Sequence, residues 1–228
     1  MKSRSEWLMR DVFHYVGHVV RLSALSVAML WPQCAAYGRD PDSPADAATY
    51  HADILEMSLA QNLLDPEIPR KQITAIETYQ KNVALRLKKL GYDVELMRDR
   101  QVVVVTVPAA KLFSSGSHVL SKNVGTVLGK LADLMLTPDK YKILVVAHSD
   151  DTGSEEYLNN LTAARANALT DWLVASQVPA DNIVPYGLGS EEPRSDNSSR
   201  AGREANRRIE LYLVPGPTMI AQAKSGKL

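Results

Sequence analysis

The chain reads as an α/β protein with helices packed against one sheet, and three observations predict it. Hydrophobic period switches from helical to strand-like just after Gly91. Short β-branched runs then alternate with longer amphipathic stretches as far as residue 214. Glycine, proline and Asp/Asn clusters punctuate almost every change of period.

Residues 48–90 come first and predict two helices. The first carries Ala52, Leu55, Leu59 and Leu63 on one stripe and stops before Asp65-Pro66. The second places Ile73, Ile76, Val83, Leu87 and Leu90 at three-four spacing, with basic residues opposite and Gly91 as its C-terminal cap. Such a pair packs on itself or on the next domain, forms a coiled coil, or docks a partner. Strand patterns follow at Asp93–Met97 and, after a turn at Arg98–Arg100, at Val102–Val107. A helix is expected over Val119–Leu136, a strand over Lys142–His148, a helix over Ser154–Ser176 and a strand over Asn182–Tyr186. A polar loop, Gly189–Ser199, leads through a helical turn at Gly202–Asn206 to a last strand, Arg208–Val214. That strand alternates Ile209, Leu211 and Leu213 with Arg208, Glu210 and Tyr212, which suits a sheet exposed on one face or at an edge. Residues 216–228 read as a loose tail.

The N-terminus carries Lys2, Arg4 and Arg10 before an apolar segment, Val19–Trp31, and then the small residues Ala35 and Ala36. This order reads as an export segment over 1–36, either a cleaved signal or a retained membrane anchor. Cys34, the single cysteine, follows Trp31-Pro32-Gln33, a poor match to a lipid-attachment site, and allows no internal disulfide. Residues 37–47, YGRDPDSPADA, read as a linker. In all, 228 residues suffice for one domain (92–215) with a helical region (48–91) and these extra segments. Twenty-six basic and 26 acidic residues cancel, which argues against a nucleic-acid binder.

Chemistry concentrates at AHSDDTGSEEYLNNLTAARA, residues 147–166. An apolar strand ends there in His148-Ser149-Asp150, at the end of a sheet where ligands commonly bind. Asp150 suits an ammonium group. Leu158, Leu161, Arg165, Leu169 and Trp172 share one face of the next helix, so Arg165 is a charge in an apolar row. An unpaired charge there is costly, and a guanidinium holds a carboxylate through two parallel hydrogen bonds. Two readings stay open: a clamp for a ligand bearing both an amine and a carboxylate, or a structural ion pair between Asp150 and Arg165. No second His or Cys stands near His148 at metal-ligand spacing, and no nucleophile motif is present, so neither a metal, a cofactor nor an enzyme activity is expected. Four arginines within residues 200–208 are partly offset by Asp196, Glu204 and Glu210 and read as a polar rim.

Taken in order, these motifs resemble the OmpA-like peptidoglycan-binding domains, a family that includes the C-terminal domains of OmpA, Pal and MotB. The resemblance runs from about Val102 to Val214. It rests on Leu112-Phe113 to Gly116-Ser117, His148 to Gly153, Leu161-Thr162 to Arg165-Ala166, Tyr186 to Pro193, Asp196-Asn197, Gly202-Arg203 and Asn206 to Glu210. It implies a sandwich built on a mixed four-stranded sheet. It also implies non-covalent binding of peptidoglycan through the diaminopimelate of its stem peptide. Asp150 and Arg165 fall on the family's gripping pair, with Thr152, Arg207, Asn206 and Leu161 as further ligand-binding positions. The expected setting is the periplasm or the outer membrane, with a possible envelope-protein partner through residues 48–90. The chain departs from the family at Ala147, Ser149, Ser114 and Leu158, the last two replacing polar residues. These departures leave room for an alternative, a protein–protein assembly module with weakened wall binding.

Overall fold

A computed structural model describes Ile54 and residues 56–228. The export segment and linker expected over 1–47, and Ala52 and Leu55 of the first stripe, lie outside the described residues. Helix α1 (Leu59–Leu64) is short because Ser58 starts it with a reciprocal cap to Gln61. The longer helical stripe expected there is therefore broken at Ser58. Helix α2 (Arg70–Lys89) matches expectation and ends at Gly91, whose φ of 89° suits a residue without a Cβ.

Five strands follow: β1 (Asp93–Met97), β2 (Val102–Pro108), β3 (Tyr141–Ala147), β4 (Ile183–Gly187) and β5 (Arg208–Pro215). Between them lie α3 (Val124–Ala132), α4 (Glu155–Ala175) and α5 (Arg200–Asn206), and α6 (Pro217–Lys224) closes the chain. The sheet runs β1-β2-β5-β3-β4, with β3 and β4 parallel and the other neighbours antiparallel. It is mixed as expected but has five strands, not four. The fifth is β1, which pairs along its whole length with β2 through the tight turn at Arg98–Arg100.

One face of the sheet carries Val103, Val105, Ile143, Val145, Ile209, Leu211 and Leu213 into the main core. Ile76, Val83 and Leu87 of α2, Leu128 and Leu131 of α3, Leu169 and Leu173 of α4, and Met219 of α6 meet them there. The apolar stripe of α2 is thus used inside the fold, and the helical region shares a core with the sheet.

Three expectations need correction. Strand β5 is central rather than an edge, and its charged face is closed to solvent: Arg208 is 1% and Glu210 0% exposed. The two satisfy each other, Arg208 Nε donating to Glu210 Oε1 at 2.7 Å, which lets charges occupy strand positions that alternation assigns to water. The helix expected over Val119–Leu136 shrinks to α3, since Leu120 instead bridges back to Phe113 and Val119 is 68% exposed. The tail expected to be loose folds as α6, with Pro217 in its first turn and Met219 fully buried.

On the opposite face of the sheet, the segment around α1 is held by polar contacts. Asn62 Nδ2 donates to the Tyr186 hydroxyl at 2.7 Å, and Lys142 Nζ meets Asp65 Oδ2 at 3.2 Å. Among the described residues no helix is long and apolar enough to cross a membrane.

Candidate functional site

The site forms where β3 ends, and backbone hydrogen bonds hold that end on both sides. His148 N donates to Arg208 O at 2.9 Å, and Ser149 N donates to Gly189 O at 2.7 Å. Gly189 is itself anchored to α4, its N donating to Thr162 Oγ1 at 3.0 Å. Gly187 tightens the same junction, because a Cβ on it would stand 2.3 Å from Ala163 N. Asp150 therefore leaves a rigid support. Its Oδ1 accepts from Thr152 N at 3.1 Å and its Oδ2 from Arg207 Nη1. Thr152 is exposed in the turn, while Asp150 is only 6% exposed.

Arg165 is buried in α4, 4% exposed. The buried row runs Leu158, Thr162, Arg165, Leu169 and Leu173, so Leu161 and Trp172 sit half-buried at its margin. Arg165 Nε donates to Ser117 O at 2.8 Å, and the guanidinium lies 5.2 Å from the centre of the Phe113 ring. The loop after Phe113 folds back to present that carbonyl, Ser117 N donating to Ser114 O and Ser121 N to Leu112 O. Neither terminal nitrogen of Arg165 has a partner among the described residues. Burial pulls this guanidinium below the ordinary arginine value; neighbouring Tyr157 and Asp150 oppose the shift and Arg207 adds to it.

The structural ion pair left open above is therefore absent in its expected form: Asp150 pairs with Arg207, not with Arg165. Arg207 sits just before β5, its carbonyl accepting from Ala109 N, and its side chain is 39% exposed. Asn206 differs from expectation. It is fully buried, and its amide is occupied by Arg194 N, Ser195 N, Ser195 O and Asn197 Oδ1. That leaves it no hydrogen-bonding capacity for a ligand, and it shapes the loop beside Arg207 instead.

Sequence reasoning placed Phe113 and Ser117 in the family pattern without a role in the site, and did not single out Tyr157. Tyr157 lies two turns before Arg165 on α4, half-exposed, its ring 3.1 Å from where a Cβ on Gly153 would sit. The i to i+8 spacing from Tyr157 to Arg165 was the available signal. Leu158 is buried against the same glycine turn. The remaining arginines are engaged, Arg200 with Glu204 and Arg203 with the carbonyls of Asn197 and Ser198, so they form no open cationic patch. His148 is buried with Nε2 3.5 Å from Glu210 Oε2, and burial pushes its pKa down. Among the described residues no group of three or more His, Cys, Asp or Glu gathers to hold a metal ion.

Residues 112–207, which span every side chain of this site, match the sequence profile of the OmpA family. The chain carries a domain of the OmpA family. Among curated relatives, the chain is similar to the outer-membrane lipoprotein YfiB of Pseudomonas aeruginosa, 35% identical over 46% of this chain and 61% of that protein. It is also similar to the peptidoglycan-binding protein ArfA of Mycobacterium bovis, 36% identical over 38% of this chain and 27% of that one. Among solved structures, the cell wall anchor of the T6SS from Pseudomonas aeruginosa superposes with a TM-score of 0.50 at 30% identity, over 59% of this chain and 95% of that chain. The chain thus spans about three fifths of one curated relative and about a quarter of the other.

Proposed function

We propose that this chain binds peptidoglycan non-covalently in the cell envelope, as a wall anchor rather than an enzyme. Asp150 receives the ammonium and Arg165 the carboxylate of the diaminopimelate in the stem peptide, with Thr152 and Arg207 beside them. One observation carries this reading. Arg165 is 4% exposed, its two terminal nitrogens have no partner among the described residues, and Asp150, the acid that acts on it, is held by Arg207. Those nitrogens are not closed off from solvent, so an incoming carboxylate can reach them and pair with a guanidinium that is otherwise largely enclosed. The names of two relatives, a peptidoglycan-binding protein and a cell wall anchor, support the same substrate.

The N-terminal order of charge, apolar run and small residues, and the similarity to an outer-membrane lipoprotein, support the envelope setting. A protein partner of residues 48–90 meets the outer, charged face of α2, because its apolar face is already in the core. The assembly-module alternative drew on Leu158 and Ser114; Leu158 is 3% exposed and offers no surface to a partner, whereas Ser114 is exposed.

Sedimentation with purified sacculi tests the proposal. Wild type should pellet with the wall and the Asp150→Ala, Arg165→Ala double variant should stay in solution; equal pelleting of the two sinks the clamp. Titration with free diaminopimelate against lysine then separates recognition of the amino-acid end from general attraction to charge.

A further inference from the structure

The charges of this site do not balance. Arg165 and Arg207 bring two guanidinia to one carboxylate, Asp150. Arg207 uses Nη1 on Asp150, and its Nε and Nη2 have no partner among the described residues. Its side chain is 39% exposed, so a ligand can approach it from solvent while it pairs with Asp150. Arg203, one turn earlier on α5, is directed to the carbonyls of Asn197 and Ser198 and brings no acid. The other nearby acids, Asp151, Glu155 and Glu156, are exposed, where salt and water screen them. A ligand that neutralises this arrangement carries one ammonium and two carboxylates.

The diamino acid itself offers such a group in one circumstance. Within the peptide, one amine of diaminopimelate is acylated by the preceding residue, which leaves one ammonium with a carboxylate beside it. The second carboxyl is a free carboxylate only when the diamino acid is the last residue; otherwise it is an amide. Resting on the wall-binding reading above, we propose that the site selects stem peptides that end in the diamino acid, Arg207 taking the terminal carboxylate while Asp150 and Arg165 hold the other end.

Calorimetric titration of the full chain tests this with three synthetic peptides: L-alanyl-γ-D-glutamyl-meso-diaminopimelate, its C-terminal amide, and the same peptide extended by D-alanine. The free acid should bind roughly tenfold more tightly than either of the others, the effect of one added charge-assisted contact. Arg207→Gln should weaken the free acid by about that factor and the amide far less, closing the gap, and Arg207→Lys should keep part of it. Equal wild-type affinities for acid and amide overturn the inference while leaving the clamp standing. So does an equal loss of both in Arg207→Gln. If wild type binds none of the three peptides, the clamp and this inference fall together.

Discussion

Replacing Arg165 by methionine separates a binding residue from a structural one by the sign of its effect. The variant loses the Nε hydrogen bond to Ser117 O, worth about 1.5–3 kcal/mol for a charged donor. It also loses the cation over Phe113, worth about 0.5–1 kcal/mol. Against this, it no longer holds a largely desolvated guanidinium whose neighbouring acid is paired elsewhere, a penalty of several kcal/mol per ion at full burial and less where the terminal nitrogens reach solvent. Asp150 is not orphaned, because Arg207 and Thr152 N still hold it. The terms nearly cancel, so ligand-free stability should shift by no more than about 2 kcal/mol in either direction, roughly 4–8 °C in Tm for a body of this size. Binding to sacculi should fall at least about a hundredfold, as expected when one partner of a buried charge contact is removed. Urea and thermal unfolding without ligand measure the first effect, and sedimentation the second. A loss of about 3–5 kcal/mol in the ligand-free protein is what breaking a buried ion pair produces, and it would refute the reasoning.

Asn206→Ala should cost about 3 kcal/mol in urea unfolding, because it leaves the amides of Arg194 and Ser195 without their acceptor in a closed site; a change below about 0.5 kcal/mol contradicts that role. Met219→Ala should cost about 2–4 kcal/mol, since a fully buried side chain of α6 fills the core beside α2; no change in the urea midpoint returns residues 216–228 to a loose tail. Lys142 gives a pH test. Burial pushes its pKa down to about 8, with Asp65 opposing, so between about 8 and 10.5 the unfolded chain holds a proton that the folded one has lost. Stability from this group therefore rises with pH across that window, by on the order of 3 kcal/mol, and is lost as pH falls through about 8. Lys142→Met should flatten this rise relative to wild type; parallel pH profiles for the two proteins would rule it out.

The strands and main helices were legible because their side chains repeat with clear periods, and α2, α4 and β2 lie close to where those periods put them. What misled was chemistry that breaks a period from inside. Arg208, Glu210 and Tyr212 look like a wet face of β5, yet Arg208 and Tyr212 both donate to the Glu210 carboxylate and all three are buried. Val119 continues a helical pattern that the loop bridging Phe113 to Leu120 takes over. Met219, Ile220 and Ala223 are too few to announce α6 without α2 to pack against.

At the site, Arg165 was legible for the same reason β5 was not. A charge inside an apolar stripe states that a partner exists without naming it. Asp150 was the acid at the end of the preceding strand, so an internal ion pair and a ligand clamp predicted the same residues. The deciding residue, Arg207, stands 57 positions from Asp150 and reaches it only because β5 lies between β2 and β3. Topology thus gives Asp150 another cation and leaves Arg165 with a backbone carbonyl and two unpartnered nitrogens. On the proposed reading, the carboxylate of the wall peptide takes the place that Asp150 leaves open.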